Sequence, residues 1–262
     1  MTDLEFVRDL VCRAGTLALA ATRTMQRELK PDQSLVTNID RAVEQMLRAE
    51  LAERFPEDGF YGEESGGDPL ACRRVWVADP VDGTTNMVFG LPCWGVSLGL
   101  IEDGRPALGA FHVPRSSETW WFAADSGAFK NGEPLHIADS GPLAQEDPIG
   151  IGSEAILRLD LDRFGCRQRN TGSLAAHWCY VAQGALRANV SVFEKLHDLA
   201  AAWGVLTEAG GAVEYLSGGV VEFAAFLHDT TNSRPLLAGP PETLARLREV
   251  LRVRVSGVGC RV

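Results

Sequence analysis

Apolar residues at Leu4, Val7, Leu10, Val11, Ala14, Leu17, Ala18 and Ala21 follow the spacing of one helix face, and Thr2 with Glu5 forms a capping-box pattern just ahead of them. The spacing predicts a long amphipathic helix over residues 3–28, broken by the polar run LKPDQS. A second helix is expected over 39–54, with Val43, Met46, Leu47 and Leu51 on its buried face, Thr37 or Asn38 as its cap and Pro56 beyond its end.

From Arg74 onward the period changes. Short apolar runs (VWVAD, CWGVSLGLI, ALGAFHV, TWWFA, GAFKNGEPL) alternate with Gly, Pro, Asn and Asp, and EDGRP and KNGEP read as hairpin turns. The first half is therefore two helices followed by a largely antiparallel sheet. The polar stretch ADSGPLAQEDP, residues 138–148, is the best junction between halves 1–140 and 141–262. Beyond it, helices expected near 154–164, 173–183, 198–209 and through PETLARLREVL alternate with strands at PIGIGS, 186–193, 212–216 and 235–238. That order is an α/β layer, so the chain as a whole is α+β / α/β.

A length of 262 residues is long for a single core, since cores stop growing at roughly 250–300 residues. One large domain or two packed halves both fit. A net charge of −10 argues against nucleic acid or an anionic membrane as partner, because both need clustered Lys and Arg. An anionic ligand would then need a cation to attract it. The six cysteines are scattered, without CxxC pairs or zinc-like spacing, and fit reduced packing residues. The acidic amino terminus lacks a signal-peptide pattern, and no stretch is apolar enough for a membrane span. A cytoplasmic protein is expected.

Several chemical motifs compete. GVSLG (95–99) matches the GxSxG elbow, but its apolar continuation places Ser97 inside a strand rather than on a sharp strand-to-helix turn. GIGSEA (150–155) matches GxGxxA without the acidic residue a dinucleotide site needs downstream, so a helix-start loop is expected. The five histidines show no ligand-like pairing. DPVDGTTN (79–86) is richer. Pro80 pushes Asp79 into an extended conformation at the tip of a strand, and the chain then turns to bring Asp82 beside it. The segment can be an Asp/Thr-capped helix start. It can also be a paired-carboxylate site for a hard divalent cation, with the Val81 carbonyl as a further ligand and Gly83, Thr84 and Thr85 offering free N–H groups to an anion.

Four separated segments in a fixed order resemble the inositol monophosphatase family of magnesium-dependent, lithium-sensitive phosphatases: SLVTNID (34–40), GEES (62–65), DPVDGTTN and HDLAAAWGVLTEAGG (197–211). The resemblance spans nearly the whole chain and implies a layered α/β/α/β/α sandwich. It implies Mg2+ at two or three sites, with Glu63, Asp79, the Val81 carbonyl, Asp82 and Asp198 as ligands and Glu64 as an outer partner. Glu63, Asp40 and Thr84 become catalytic residues, the last two by orienting or deprotonating the attacking water. Asp82, Gly83, Thr84 and Thr85 would meet the phosphate. Gly172, Ser173, Leu174 and Ser191 would meet the rest of the substrate, and KPDQS resembles a metal-site loop from which Lys30 closes over the site. The resemblance also implies a homodimer.

Such sites answer a real chemical difficulty, since nucleophile and phosphate ester are both electron-rich. A pair of cations about 3.5–4 Å apart can acidify water and neutralise the phosphate and leaving oxygens. No enzyme nucleophile is needed, which suits a chain without a well-placed His or Cys. The chain departs from the family in three places: His197 stands where a Trp is usual, Met87 where an aromatic residue is common, and Ser191 where inositol-specific members carry a glutamate. A neutral serine holds a polyol more weakly than a carboxylate does, and Glu194 could replace that glutamate only with a rearranged loop. The expected substrate is a small-molecule phosphate ester, inositol monophosphate first, then histidinol phosphate, fructose 1,6-bisphosphate or 3′-phosphoadenosine 5′-phosphate. A non-catalytic binding member of the fold and a Ser97 hydrolase are the other classes.

Overall fold

The computed structural model describes residues 1–138 and 141–254. Residues 139–140 of the expected junction, and Cys260, lie outside the described residues. Helix α1 (Asp3–Ala21) begins with the expected capping box, Thr2 N donating to Glu5 Oε2 at 2.7 Å and Glu5 N to Thr2 Oγ1 at 3.2 Å. It stops well short of residue 28. Thr22 and Thr24 turn their hydroxyls onto the carbonyls of Leu19 and Ala21 in a 3-10 turn, a local bonding habit that competes with helix propagation. The chain then forms a hairpin, β1 (Arg27–Leu29) against β2 (Leu35–Thr37). Thr37 caps α2 (Asn38–Arg54), accepting from Ile39 N at 3.1 Å while Asp40 Oδ2 accepts from Thr37 N at 2.9 Å.

The first large sheet follows: β3 (Gly59–Gly62), β4 (Arg74–Asp82), then, after the short helix α3 (Thr84–Phe89), β5 (Gly95–Glu102), β6 (Arg105–Val113), β7 (Glu118–Ala123), β8 (Gly127–Lys130) and β9 (Glu133–Leu135), hydrogen-bonded in that order. Its pairs are antiparallel except β3 with β4, which run parallel. The exception matters, because it brings the ends of both strands to the same edge. Ser97 lies in mid-β5 opposite Asp79 and Phe111, fully buried and remote from any elbow.

The second half contains β10 (Pro148–Ile151), α4 (Ser153–Arg158), β11 (Leu159–Asp160), β12 (Arg167–Arg169), α5 (Leu174–Ala182), β13 (Ala188–Ser191), β14 (Glu194–Lys195), α6 (Leu196–Glu208), β15 (Ala212–Tyr215), α7 (Ala225–His228), β16 (Thr231–Asn232), β17 (Leu236–Gly239), α8 (Pro241–Val250) and β18 (Arg252–Val253). Its main sheet has the order β12-β10-β13-β17-β15. Helix α4 ends at Arg158 rather than near residue 164, because Leu159 turns extended and buries itself in the short pair with β18. The GxGxxA match is a helix-start loop between β10 and α4.

Strand alternation sorts the core into layers. On β4, Trp76 and Ala78 face α1 and α2, whereas Val75 and Val77 face α5 and α6. On β17, Leu236 and Ala238 face that same helix pair from the other side, and Leu237 faces α4 and α8. The result is the expected α/β/α/β/α sandwich, with α5 and α6 between the two sheets. At the centre of that contact Gly204 of α6 lies against Phe122 of β7, where an added Cβ would fall 2.0 Å from the ring. Gly204→Ala therefore overpacks the middle layer and should destabilise the protein by about 1–3 kcal/mol in denaturant unfolding; an unchanged midpoint would mean that the sheet–helix spacing is not fixed by this contact.

Candidate active site

Asp79 to Asp82 do not form the expected strand end and turn; β4 continues through them with a break in register against β5. Pro80 has no N–H to give to the ladder, and Asp79 Oδ1 accepts from Val81 N at 2.9 Å, so the bulge is held by the aspartate itself. Gly83 then adopts φ 91°, with the carbonyls of Cys93 and Gly172 close to the face where a side chain would project. That left-handed turn starts α3 and aims Gly83, Thr84 and Thr85 into a cleft of about 470 Å³. The cleft is also lined by Glu63, Asp79, Val81, Asp82, Gly172 and Asp198, and by Leu29, Gln33, Ser34 and Leu35 of the hairpin. Two larger grooves, of about 560 and 620 Å³, lie elsewhere and contain none of these carboxylates.

The structure thus brings the ligands expected from opposite halves into one place. Carboxylate oxygens of Asp79, Asp82 and Asp198 all lie within 4.8 Å of one another. Asp198 arrives in the first turn of α6, where Lys195 N donates to its Oδ2 at 3.3 Å. Glu63 follows β3, and its N–H donates to Ala78 O at 3.1 Å, so the parallel pairing delivers it beside Asp79. The donor set, hard oxygens from several carboxylates and a backbone carbonyl, fits Mg2+ or a similar hard cation.

Electrostatics favour the same reading of the cluster. Burial pushes Asp79 well above the usual carboxylate range, and Glu63 and Asp82 push it further. Asp82 is raised to about 7 by burial and by Asp198, against the bonds it accepts. Asp198 is raised to about 7 by burial and Glu63. Glu63 is lowered instead: burial opposes ionisation, but His197 and Lys30 outweigh it. Since burial holds His197 itself to about 4, Lys30 is the working cation at neutral pH. Lys30 Nζ donates to Glu63 Oε1 at 2.9 Å and to Glu64 Oε1 at 2.7 Å, while burial raises Glu64 despite that pairing.

Asp40 lies behind the cleft, fully buried and raised by burial. Thr84 Oγ1 stands 2.9 Å from both Asp40 Oδ1 and Val81 O. Its single proton serves one of them at a time. The expected substrate contacts divide. Gly172 lines the cleft, but Ser173 and Leu174 are turned to Asp82: Ser173 Oγ donates to Asp82 Oδ2 at 2.6 Å, Leu174 N to Oδ1 at 3.2 Å and Ala175 N to Oδ2 at 2.7 Å. The start of α5 therefore holds a carboxylate of the other half. Ser191 is buried at the end of β13 and hydrogen-bonded to the buried Glu194, outside the cleft lining. His197 stacks on Tyr61 with ring centroids 6.4 Å apart.

One contributor was quoted in the sequence without a role. Asn86, the last residue of DPVDGTTN, donates through Nδ2 to Thr171 O at 2.6 Å and also to Cys93 O, tying the loop before Gly172 to α3. Its position directly after Gly-Thr-Thr was the available signal; its partners, far along the chain, were not.

Comparison with known proteins now bears on this geometry. The model of the inositol monophosphatase family matches residues 3–252. The chain belongs to that family. It is 33% identical over 231 residues to a histidinol-phosphatase of Mycobacterium tuberculosis, an alignment covering 82% of this chain and 88% of that one. It is 34% identical to a fructose-1,6-bisphosphatase/inositol-1-monophosphatase of Thermotoga maritima, covering 83% and 86%. The solved structure of the Thermotoga maritima IMPase superposes with a TM-score of 0.83 at 29% identity, covering 95% of this chain and 96% of that one.

The raised carboxylates set a pH dependence. Between about pH 4 and pH 7 the folded protein retains protons on Asp82 and Asp198 that the unfolded chain has released, so their contribution to stability is lost as pH rises through about 7. Buried His177 and His197, each held to about 4, act in the opposite sense below about pH 6.5. In EDTA the melting temperature should therefore be lower at about pH 8 than at about pH 6.5, and a divalent cation should restore it at the higher pH. A melting temperature that is flat or rising over that interval in EDTA contradicts the picture.

Proposed function

We propose that the protein is a magnesium-dependent phosphomonoesterase acting on a small phosphorylated alcohol, with inositol monophosphate as the leading substrate. The observation that carries this is the meeting of Asp79, Asp82 and Asp198, within 4.8 Å, in the cleft that Gly83 and Thr84 line at the start of α3. Glu63, Asp79, Val81 through its carbonyl, Asp82 and Asp198 would hold two or three Mg2+ ions. Bound there, the cations would lower the pKa of water and neutralise charge on the phosphate and leaving oxygens.

The chain's own residues do the rest. Gly83, Thr84 and Thr85 receive phosphate oxygens on backbone N–H groups; α3 has only six residues, so its dipole adds little to them. Thr84 Oγ1 takes a proton from the attacking water and relays it toward Asp40 Oδ1. Glu63 orients that water from the other side, and Glu64, paired with Lys30, steadies the rim. Residues 1–140 supply most of this machinery, whereas 141–262 supply Asp198, the cleft-lining Gly172, and Ser173 and Leu174, which hold Asp82 in place.

Histidinol phosphate is the second reading. It is favoured by the 33%-identical histidinol-phosphatase and by the neutral Ser191 at the position where inositol-specific members carry a glutamate. We extend the family's lithium sensitivity and homodimeric state to this chain as well. A cytoplasmic setting is supported by the five described cysteines, all free thiols. No helix among the described residues is long and apolar enough to cross a membrane.

The test is a panel of phosphate esters assayed with Mg2+, with EDTA and with added lithium. Hydrolysis should require the cation, fall by at least about 100-fold in Asp82→Asn, and survive Ser97→Ala. Activity that persists in EDTA, or is lost with Ser97 and kept with Asp82→Asn, would sink the proposal. If no ester is cleaved although Mg2+ binds, the binding-protein alternative replaces it.

A further inference from the structure

Helix α2 carries a second buried carboxylate one turn after Asp40. Glu44 is only 4% exposed, and its two oxygens accept from consecutive backbone amides of the GEES loop: Oε2 from Glu64 N at 2.8 Å and Oε1 from Ser65 N at 2.8 Å. The residue just before those amides is Glu63, whose own N–H is taken by Ala78 O of β4 at 3.1 Å. The backbone around the ligand is therefore pinned from both sides, to the sheet through Glu63 and to α2 through its two successors. Gly62 and Gly66 close the loop on itself, with N–H groups exchanged at 3.0 and 2.9 Å. The fit leaves no slack: a Cβ at Gly62 would lie 2.4 Å from Glu44 Oε2.

Residues four apart on a helix sit on the same face, about 5–6 Å from each other. One face of α2 thus reaches both flanks of the cleft, Asp40 toward Thr84 and Glu44 toward the loop that presents Glu63. A carboxylate suits the second position because it offers acceptors only, and two parallel N–H groups need two acceptors. Glutamine in its place would keep one bond and set its own NH2 against the other amide.

We infer that Glu44 is a positioning residue, which fixes the 63–65 backbone so that Glu63 is presented to the cation without rearrangement. The inference rests on the proposed metal-dependent activity. Removing the clamp lets the loop choose other backbone conformations, and cation binding must then select one of them, which weakens affinity while leaving the chemistry of the bound state in place.

The experiment is Mn2+ titration of the metal-free protein, followed by electron paramagnetic resonance, for the wild type, Glu44→Gln, Gly62→Ala and Glu53→Gln, the last an exposed position on the same helix. Glu44→Gln should bind Mn2+ about 10–100-fold more weakly, the range seen when outer partners of ligands are removed. Raised cation concentration should recover its turnover. Gly62→Ala, which keeps the carboxylate but displaces it, should move the same way and decides the matter if Glu44→Gln does not fold. Glu53→Gln should match the wild type. Mn2+ affinity within about twofold of wild type in a folded Glu44→Gln or Gly62→Ala would overturn the positioning role. A wild-type protein that binds no Mn2+ would instead bring down the metal-dependent reading, and this inference with it.

Discussion

Mutual repulsion among closely placed, largely desolvated carboxylates is the constraint on which this site depends. Asp79, Asp82 and Asp198 come from the two halves of the chain and share a space in which their oxygens lie within 4.8 Å of one another. Asp79 and Asp82 are buried and Asp198 is half-buried at the cleft. Desolvation makes ionisation costly for all three, Asp82 and Asp198 raise that cost for Asp79, and Asp198 raises it for Asp82. Without compensation such a cluster would drive the halves apart; protons or cations are the two ways to neutralise it. The site can therefore exchange bound protons for bound metal near neutral pH, which is what a cation-dependent phosphatase requires.

The scaffold resists that repulsion through bonds that cross the same boundary. Asp82 accepts three hydrogen bonds from the start of α5, and Asn86 reaches from α3 to the Thr171 carbonyl. Both come from DPVDGTTN. The octapeptide thus supplies two carboxylates of the cluster, a left-handed turn at Gly83 and the clasp to the second half. The parallel β3–β4 pair supplies the other necessary placement, since an antiparallel neighbour would have carried Glu63 to the far end of β4. Behind these, α2 braces one flank through Asp40 and the other through Glu44.

Much of this was legible in the sequence, for identifiable reasons. The layers follow from periodicity, because Val75, Trp76, Val77 and Ala78 alternate faces with period two and α1 repeats with the period of a helix. The carboxylates that meet in the cleft could be singled out because their motifs are local. What escaped was set by distant pairing. The strand at 27–29, expected as helix, depends on a hairpin partner at 35–37, and the end of α4 on β18 almost a hundred residues later. The strand character of 59–62 is invisible in GFYG without β4 beside it. Ser173 and Leu174 were expected to face substrate and instead face Asp82, a contact that no spacing along the chain encodes.

The central claim is that protons and a divalent cation compete for one carboxylate cluster. It is tested most directly by calorimetric titration of the metal-free protein with Mg2+ at about pH 6.5, in two buffers of different ionisation enthalpy, which counts the protons displaced. The account predicts saturable binding with release of about one proton or more per protein, diminishing as pH is raised toward about 8. Binding that releases no proton at the lower pH, or an absence of binding, would contradict it.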